Sequence, residues 1–274
     1  RIRDYQIKEN GGIARALNFG LKLAHAPIIA RMDADDKSLP DRLLIQYEYL
    51  MKHPTCGVVS SLITHGGNSS QQGYAHYVNQ INAIIRNEDI RNKRFQESPI
   101  AHPSVMFRSE LIGKYGGYNE ADLPEDYELW LRWMYHDVEI HKVNHNLLIW
   151  NDLPNRISRI YSNYTDDNFF RLKAKYLALH FKKLNGRLPV LWVWGTGRLV
   201  NRNSSYLMAE GFTIEKYIDI KPVHAPNHIY YKDIPLPGTV VIVSYVRDRK
   251  GKTEIAPYLT DRAYTEGVDF FLMT

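Results

Sequence analysis

The sequence predicts an α/β protein in two parts, the second a small domain with a parallel sheet. Three observations predict it. Short apolar runs alternate with stretches whose apolar residues recur at helical spacing. The alternation breaks in the polar stretch Asn185-Gly186-Arg187-Leu188-Pro189 and restarts at Val190 with a regular strand–helix–strand spacing. The 274 residues suffice for one large or two ordinary domains, and 44% hydrophobic with 24% charged content is that of a globular protein.

Composition narrows the partners. A net charge of +5 favours anions, whether phosphates or an anionic membrane surface, without choosing between them. No nucleic-acid partner is expected, and the oligomeric state is not legible. Cys56 stands alone, so no intramolecular disulfide can form and a reducing compartment is the simpler assumption. No apolar run approaches the roughly 20 residues that span a bilayer, and no signal peptide is visible. A cytoplasmic location follows as the expectation, with peripheral contact at the inner face of the membrane as its variant. The chain begins at Arg1 with residues that already read as mid-domain.

Taken in order, Tyr5-Gln6-Ile7-Lys8 reads as a strand remnant, and Gly11-Gly12 leads into a helix from Ile13 to about His25. Ile28-Ile29-Ala30 is a buried strand. It stops at Asp33-Ala34-Asp35-Asp36, three carboxylates within four residues. Crowded carboxylates repel, and a hard divalent cation gathered from that loop removes the cost. The other reading is a solvated loop that caps the helix opened by Ser38-Leu39-Pro40-Asp41. That helix is expected to bury Leu43, Leu44, Tyr47, Leu50 and Met51. A strand at Gly57–Ser60, a polar loop from Thr64 to Gly73, a helix over 77–95 and a strand over 100–108 follow. Glu125 and Asp126 then open a helix with Leu129, Trp130, Trp133 and Met134 on its apolar face. Acids belong at a helix N-terminus on dipole grounds alone, so these two read equally as capping residues. Two short strands are expected at 138–143 and 147–150, then a helix from Asp166 to Leu184. Six Lys or Arg residues between Arg171 and Arg187 read as a basic solvated face in preference to a membrane-binding one.

Beyond 188 the expected order is strand 190–194, the loop Gly195-Thr196-Gly197-Arg198, a helix to about Glu210, strands at 213–218 and 240–243, a helix near 254–259 and a last strand at 268–273. Asp219 lies 22 residues after Gly197 (219 − 197), close to the roughly 20 expected for a ribose-binding acid in a dinucleotide fold. Val200 occupies the third glycine position of that fingerprint. A ligand site and a purely structural module both remain open for this part.

Several motifs in one order then carry a resemblance: Asn10-Gly11-Gly12, Ala16-Leu17-Asn18, Ala30-Arg31-Met32-Asp33-Ala34-Asp35-Asp36, Pro40-Asp41-Arg42-Leu43, Gln46 and His53-Pro54, followed by His102-Pro103-Ser104-Val105-Met106-Phe107-Arg108, Gly117-Tyr118 and Glu125-Asp126-Tyr127-Glu128-Leu129-Trp130-Leu131-Arg132. Over roughly 120 residues this resembles family 2 glycosyltransferases of the GT-A fold. The resemblance implies a GT-A domain lacking its first strands over 1–184, with a Rossmann-like α/β domain over 188–274. It implies sugar transfer, with inversion, from a nucleotide diphosphate sugar donor to a glycan or lipid-linked acceptor in surface polysaccharide assembly. It assigns Asp33 and Asp35 to Mg²⁺ or Mn²⁺. Asp126 becomes the catalytic base, with Glu125 in support. Asn10, Asp33, Asp36, His102 and Arg156 become substrate-binding, with Arg159 an alternative to Arg156. The segment that reads the nucleobase in this family is absent, so this chain alone is expected to be weak or inactive. The alternatives are a non-catalytic sugar-nucleotide or protein-binding remnant and, from the glycine loop, a dinucleotide-dependent oxidoreductase.

Overall fold

The computed structural model describes residues 2–66, 72–152, 164–222, 225–247 and 249–274. Contacts divide the chain into two units, Arg1–Val78 with Ala101–Tyr164, and Asn79–Ile100 with Thr165–Thr274. The division drawn from sequence, between 184 and 188, leaves residues 79–100 and the helix before Asn185 on the other side.

The first unit carries a five-stranded mixed sheet. Its elements are α1 (Gly12–Leu23), β1 (Ile28–Ala30), β2 (Lys37–Ser38), α2 (Arg42–Lys52), β3 (Cys56–His65), β4 (Met106–Arg108), α5 (Glu110–Tyr115), α6 (Glu125–Tyr135) and β5 (Glu139–Trp150), while α3 (Gln72–Asn82) and α4 (Asn87–Asn92) fall between β3 and β4 in the chain. The strand order is β1-β4-β3-β5-β2. β3 and β5 run parallel, and β4 is antiparallel to both β1 and β3. Tyr5 to Lys8 forms no strand. β5 is one continuous strand in place of the two expected, with register shifts against β3 at Ser61/Leu62 and Leu62/Ile63. An irregularity of that kind interrupts the alternation by which strands are read from sequence. His102–Ser104 is a short 3-10 turn that precedes β4, so the strand expected over 100–108 is confined to its last three residues.

The helix α2 reverses its expected orientation. Arg42, Gln46 and Leu50 form its buried stripe, while Leu43, Leu44, Tyr47 and Met51 are each about half exposed. The cause is hydrogen bonding. Arg42 Nη2 donates to the Arg31 carbonyl at 2.6 Å and the Val105 carbonyl at 3.3 Å, and its Nε donates to Gln46 Oε1 at 3.1 Å. Gln46 Nε2 in turn donates to the carbonyls of Ser104 (2.7 Å) and Val59 (3.1 Å). The four carbonyls belong to backbone packed under the helix, and buried acceptors left short of donors are costly. Two polar side chains therefore claim the inner face that an apolar count gives to leucines. Below them Leu50, Cys56, Val59, Met106, Val143 and Leu147 pack as one cluster. Trp130 and Trp133 of α6 are fully buried, with Phe107 meeting Trp133 edge-on at 5.4 Å.

The second unit contains α7 (Asp166–Asn185), β6 (Val190–Trp194), α8 (Arg198–Ala209), β7 (Thr213–Asp219), β8 (His228–Tyr230), β9 (Val241–Ser244), α9 (Arg249–Asp261) and β10 (Phe270–Leu272). Its sheet is wholly parallel in the order β10-β9-β6-β7-β8, as the alternation of strands and helices implies. The short β8 has no counterpart in the sequence reading. Thr165 caps α7 by accepting from Asn168 N at 3.3 Å, and Gly186 at φ 69° ends it in the left-handed conformation glycine favours. The basic run on α7 is not one solvated face: Lys173 is buried and donates to the carbonyls of Gln96 and Thr274, both at 2.8 Å.

Candidate active site

The acidic loop leaves β1 at Arg31. Asp33, Asp35 and Asp36 bring one carboxylate oxygen each to within 4.8 Å of one another. The loop is fastened to the end of β5, where Asn151 N donates to Asp36 Oδ1 at 2.9 Å and Asn151 Nδ2 donates to the Asp35 carbonyl at 2.5 Å. Asp36 is buried, Asp33 half-buried and Asp35 exposed. Three oxygen donors at this spacing suit a hard divalent cation, and their mutual repulsion favours one. The donor set therefore fits the metal that the sequence implies, with Asp35 as the arm open to solvent.

Glu125 and Asp126 occupy the first turn of α6, one N-terminal turn above the buried tryptophans. Asp126 accepts from Tyr127 N at 2.7 Å, and Glu125 Oε2 accepts from the Tyr164 hydroxyl at 2.6 Å. Burial, and for Glu125 the neighbouring Asp126 charge, raise both carboxyls above the ordinary carboxylate range. The Arg31 guanidinium opposes that rise in both. The same arginine, after burial, pushes His102 well below the usual imidazole value, so His102 is neutral. Its Nε2 shares a hydrogen with the Tyr118 hydroxyl at 2.8 Å, and its ring meets Trp130 edge-on at 5.9 Å. Tyr118 is held through its backbone by Asn18 of α1, whose Oδ1 accepts from Tyr118 N at 2.9 Å and whose Nδ2 donates to Tyr118 O at 2.8 Å. Charge on Asp33 and on Asp126 is felt at Tyr118, which joins the two acidic sets in one electrostatic neighbourhood.

The raised carboxyls fix a stability trend. A carboxyl whose folded pKa exceeds its unfolded one is deprotonated first in the unfolded chain, so stability falls as pH rises through that interval. Glu125→Gln removes this component. Urea unfolding compared across the mildly acidic to neutral range is expected to show a shallower loss of stability with rising pH in the variant; parallel slopes would exclude the burial of an ionisable Glu125.

Of the residues singled out in the sequence, Asp33, Asp35 and Asp36 share the metal-competent loop, while Glu125, Asp126 and His102 line the same electrostatic neighbourhood. Asn10 sits at the start of α1, where its Oδ1 accepts from Gly12 N at 3.1 Å. Arg156 and Arg159 lie outside the described residues. Three contributors were missed. Arg31 lay in the quoted motif but carried no role, and Asn151 and Tyr164 have no local signature, since only the folded sheet brings them to the acids.

In the second unit the glycine loop follows β6. Gly195 has φ 118°, and a Cβ there would meet Val200 Cγ2 at 2.8 Å. Glycine is required on both counts. Thr196 Oγ1 donates to Asp219 Oδ2 at 3.0 Å and Lys221 N donates to Asp219 Oδ1 at 2.9 Å, so one oxygen of the acid at the tip of β7 serves the glycine loop and the other the turn that follows β7.

Among the comparisons with known proteins, the family match falls within the first half of the chain. The family described as Glycosyl transferase family 2 matches residues 1–116. The O-antigen biosynthesis glycosyltransferase WbnJ of Escherichia coli is 35% identical over 134 residues, 48% of this chain and 49% of that protein. The UDP-Gal:alpha-D-GlcNAc-diphosphoundecaprenol beta-1,3-galactosyltransferase of Escherichia coli is 31% identical over 132 residues, 48% of this chain and 46% of that protein. This chain therefore spans about half the length of the curated relatives it matches. A solved mannosyltransferase from Pyrobaculum calidifontis, in complex with GDP-Man and Mn²⁺, is 19% identical at a TM-score of 0.41, covering 73% of this chain and 50% of that one, a likeness too slight to bear on any residue. The stretch that matches glycosyl transferase family 2, residues 1–116, is the one that carries the acidic loop.

Proposed function

We propose that the first unit transfers a sugar, with inversion, from a nucleotide diphosphate donor to an acceptor hydroxyl, assisted by Mg²⁺ or Mn²⁺, in the assembly of a surface polysaccharide. The observation that carries this reading is the pairing of two acidic sets of different character. One is a loop of three carboxylates within 4.8 Å, and the other is a buried pair at the start of α6.

On this reading Asp33, Asp35 and Asp36 hold the divalent cation and the donor's ribose. When bound, that cation offsets negative charge building on the departing diphosphate. Asp126 takes the proton from the acceptor hydroxyl as it attacks the anomeric carbon, the separate placement of base and leaving group being what direct displacement needs. Glu125, fixed by Tyr164, keeps Asp126 in place through the helix start. His102, neutral and tethered to Tyr118, offers a hydrogen bond without a charge. The relatives named for O-antigen assembly and for a diphosphoundecaprenol-linked acceptor support a lipid-linked acceptor here. No described helix is long and apolar enough to cross a membrane. Contact with the inner membrane face would be peripheral, and the exposed Leu43, Leu44, Tyr47 and Met51 of α2 support it.

However slow the turnover, the first-formed sugar reports the stereochemistry. Proton NMR of the chain with an α-linked nucleotide diphosphate sugar is expected to show the β-anomer first, with the signal lost in EDTA and restored by Mn²⁺. First appearance of the α-anomer, or full activity in EDTA, would contradict inversion or metal assistance respectively.

A further inference from the structure

The Asp33 carboxylate is already held, and by a cation of the chain itself. Arg31, only 8% exposed, reaches Asp33 Oδ1 through Nη2 at 2.5 Å and Asp33 Oδ2 through Nη1 at 2.6 Å. This is the two-pronged geometry that suits guanidinium and carboxylate. The arginine is placed by more than its partner. Its backbone N donates to Val105 O at 3.0 Å, and its own carbonyl receives Arg42 Nη2 at 2.6 Å. Its Nε is buried without a hydrogen-bond partner among the described residues. A buried donor left unmet is unusual and costly.

We propose that Arg31 is a built-in counter-ion that holds Asp33 until a divalent cation loads, and gives Asp33 up to the cation when it does. The inference rests on the metal-assisted reading above. Two facts favour displacement over a fixed structural pair. Both Asp33 oxygens are occupied by the guanidinium, yet the same carboxylate stands in the set of three whose spacing suits a cation. The guanidinium also has an edge to spare in Nε, which an incoming anionic ligand can use once Asp33 is released. A loop of three unneutralised carboxylates would bind any bare cation, whereas one held by Arg31 favours a cation that brings its own anion, such as a metal–diphosphate complex. Arg31 is thus a positioning residue for loading.

The test measures binding, without turnover. Mn²⁺ alone, with no nucleotide present, is titrated into the whole chain and into Arg31→Met and Arg31→Lys, followed by the electron paramagnetic resonance of free Mn²⁺. Removing a positive charge within a few ångströms of the site is expected to tighten Mn²⁺ about tenfold in Arg31→Met, with Arg31→Lys close to the unsubstituted chain. If the unsubstituted chain binds Mn²⁺ and Arg31→Met binds it equally or more weakly, this inference fails while the metal reading stands. If neither the unsubstituted chain nor Arg31→Met binds Mn²⁺, both fail. Should Arg31→Met not fold, ¹⁵N NMR of the guanidinium in the unsubstituted chain decides: saturation with Mg²⁺ is expected to shift the Arg31 Nε resonance, and an unmoved resonance overturns the proposal.

Discussion

Asp126→Asn is expected to abolish sugar transfer while leaving donor binding nearly intact. The substitution keeps the shape of the side chain and an oxygen at the position that accepts from Tyr127 N at 2.7 Å, so the start of α6 should hold. What it removes is the carboxylate that can take a proton. A positioned general base contributes typically about 10²–10⁴-fold to a rate, and kcat should fall by that order with the nucleotide dissociation constant changing little. Asp126 is well placed for the role because its environment raises its affinity for a proton, and the Arg31 charge limits that rise so that the carboxylate form stays accessible. Glu125→Gln should cost less, since the Tyr164 hydroxyl can still donate to the amide oxygen. Unchanged turnover in Asp126→Asn would remove this residue as the base.

The largest expected effect on stability lies at Arg42. Its side chain is about 1% exposed and serves the carbonyls of Arg31 and Val105 together with Gln46 Oε1. Burial and the nearby Arg31 charge lower its pKa to about 10, with Asp36 acting in the opposite sense. It remains charged at neutral pH. Arg42→Ala takes the guanidinium from the Arg31 carbonyl and from Gln46 Oε1, leaves the Val105 carbonyl with Arg31 N alone, and takes a positive charge from beside the buried Asp36. Unmet buried acceptors cost about 1–3 kcal/mol each, and breaking a buried charged network costs about 3–5 kcal/mol. A loss of about 3–5 kcal/mol is expected in urea unfolding of the first unit. Arg42→Lys should recover little, because a point charge cannot replace the planar fork. A loss below about 1 kcal/mol would show that the helix can reorganise and that α2 is not held by this network. The acidic loop leaves β1 at Arg31, whose carbonyl Arg42 holds, so metal binding should weaken in the same variant.

How far the sequence carried the fold depends on what sets each element. The parallel sheet of the second unit follows from alternating strand and helix signals, and Val190–Trp194, Thr213–Asp219 and their helices lie where apolar periodicity puts them. Periodicity failed where another demand overrode it. α2 turned its Arg42–Gln46–Leu50 stripe inward because Arg42 and Gln46 donate to the backbone carbonyls beneath the helix, leaving Leu43 and Leu44 outside. β5 appeared as two pieces because its pairing with β3 shifts register and Asn144 to Asn146 interrupt the buried pattern. At the site, the motif order named Asp33, Asp35, Asp36, Glu125 and Asp126. The chemistry of each came from its neighbours in the chain. Arg31, Asn151 and Tyr164 escaped because their parts are set by tertiary contacts: Asn151 holds Asp35 and Asp36 from 115 or more residues away, and Tyr164 meets Glu125 across 39.

The central claim is that the carboxylates of Asp33, Asp35 and Asp36 receive a divalent cation together with a nucleotide diphosphate. Calorimetric titration of UDP and GDP into the chain, with and without Mn²⁺, tests it most directly. Binding of one nucleotide that requires Mn²⁺, and that disappears in Asp35→Ala, is the result this account requires. Equal binding with and without the cation, or binding that survives Asp35→Ala undiminished, would contradict it.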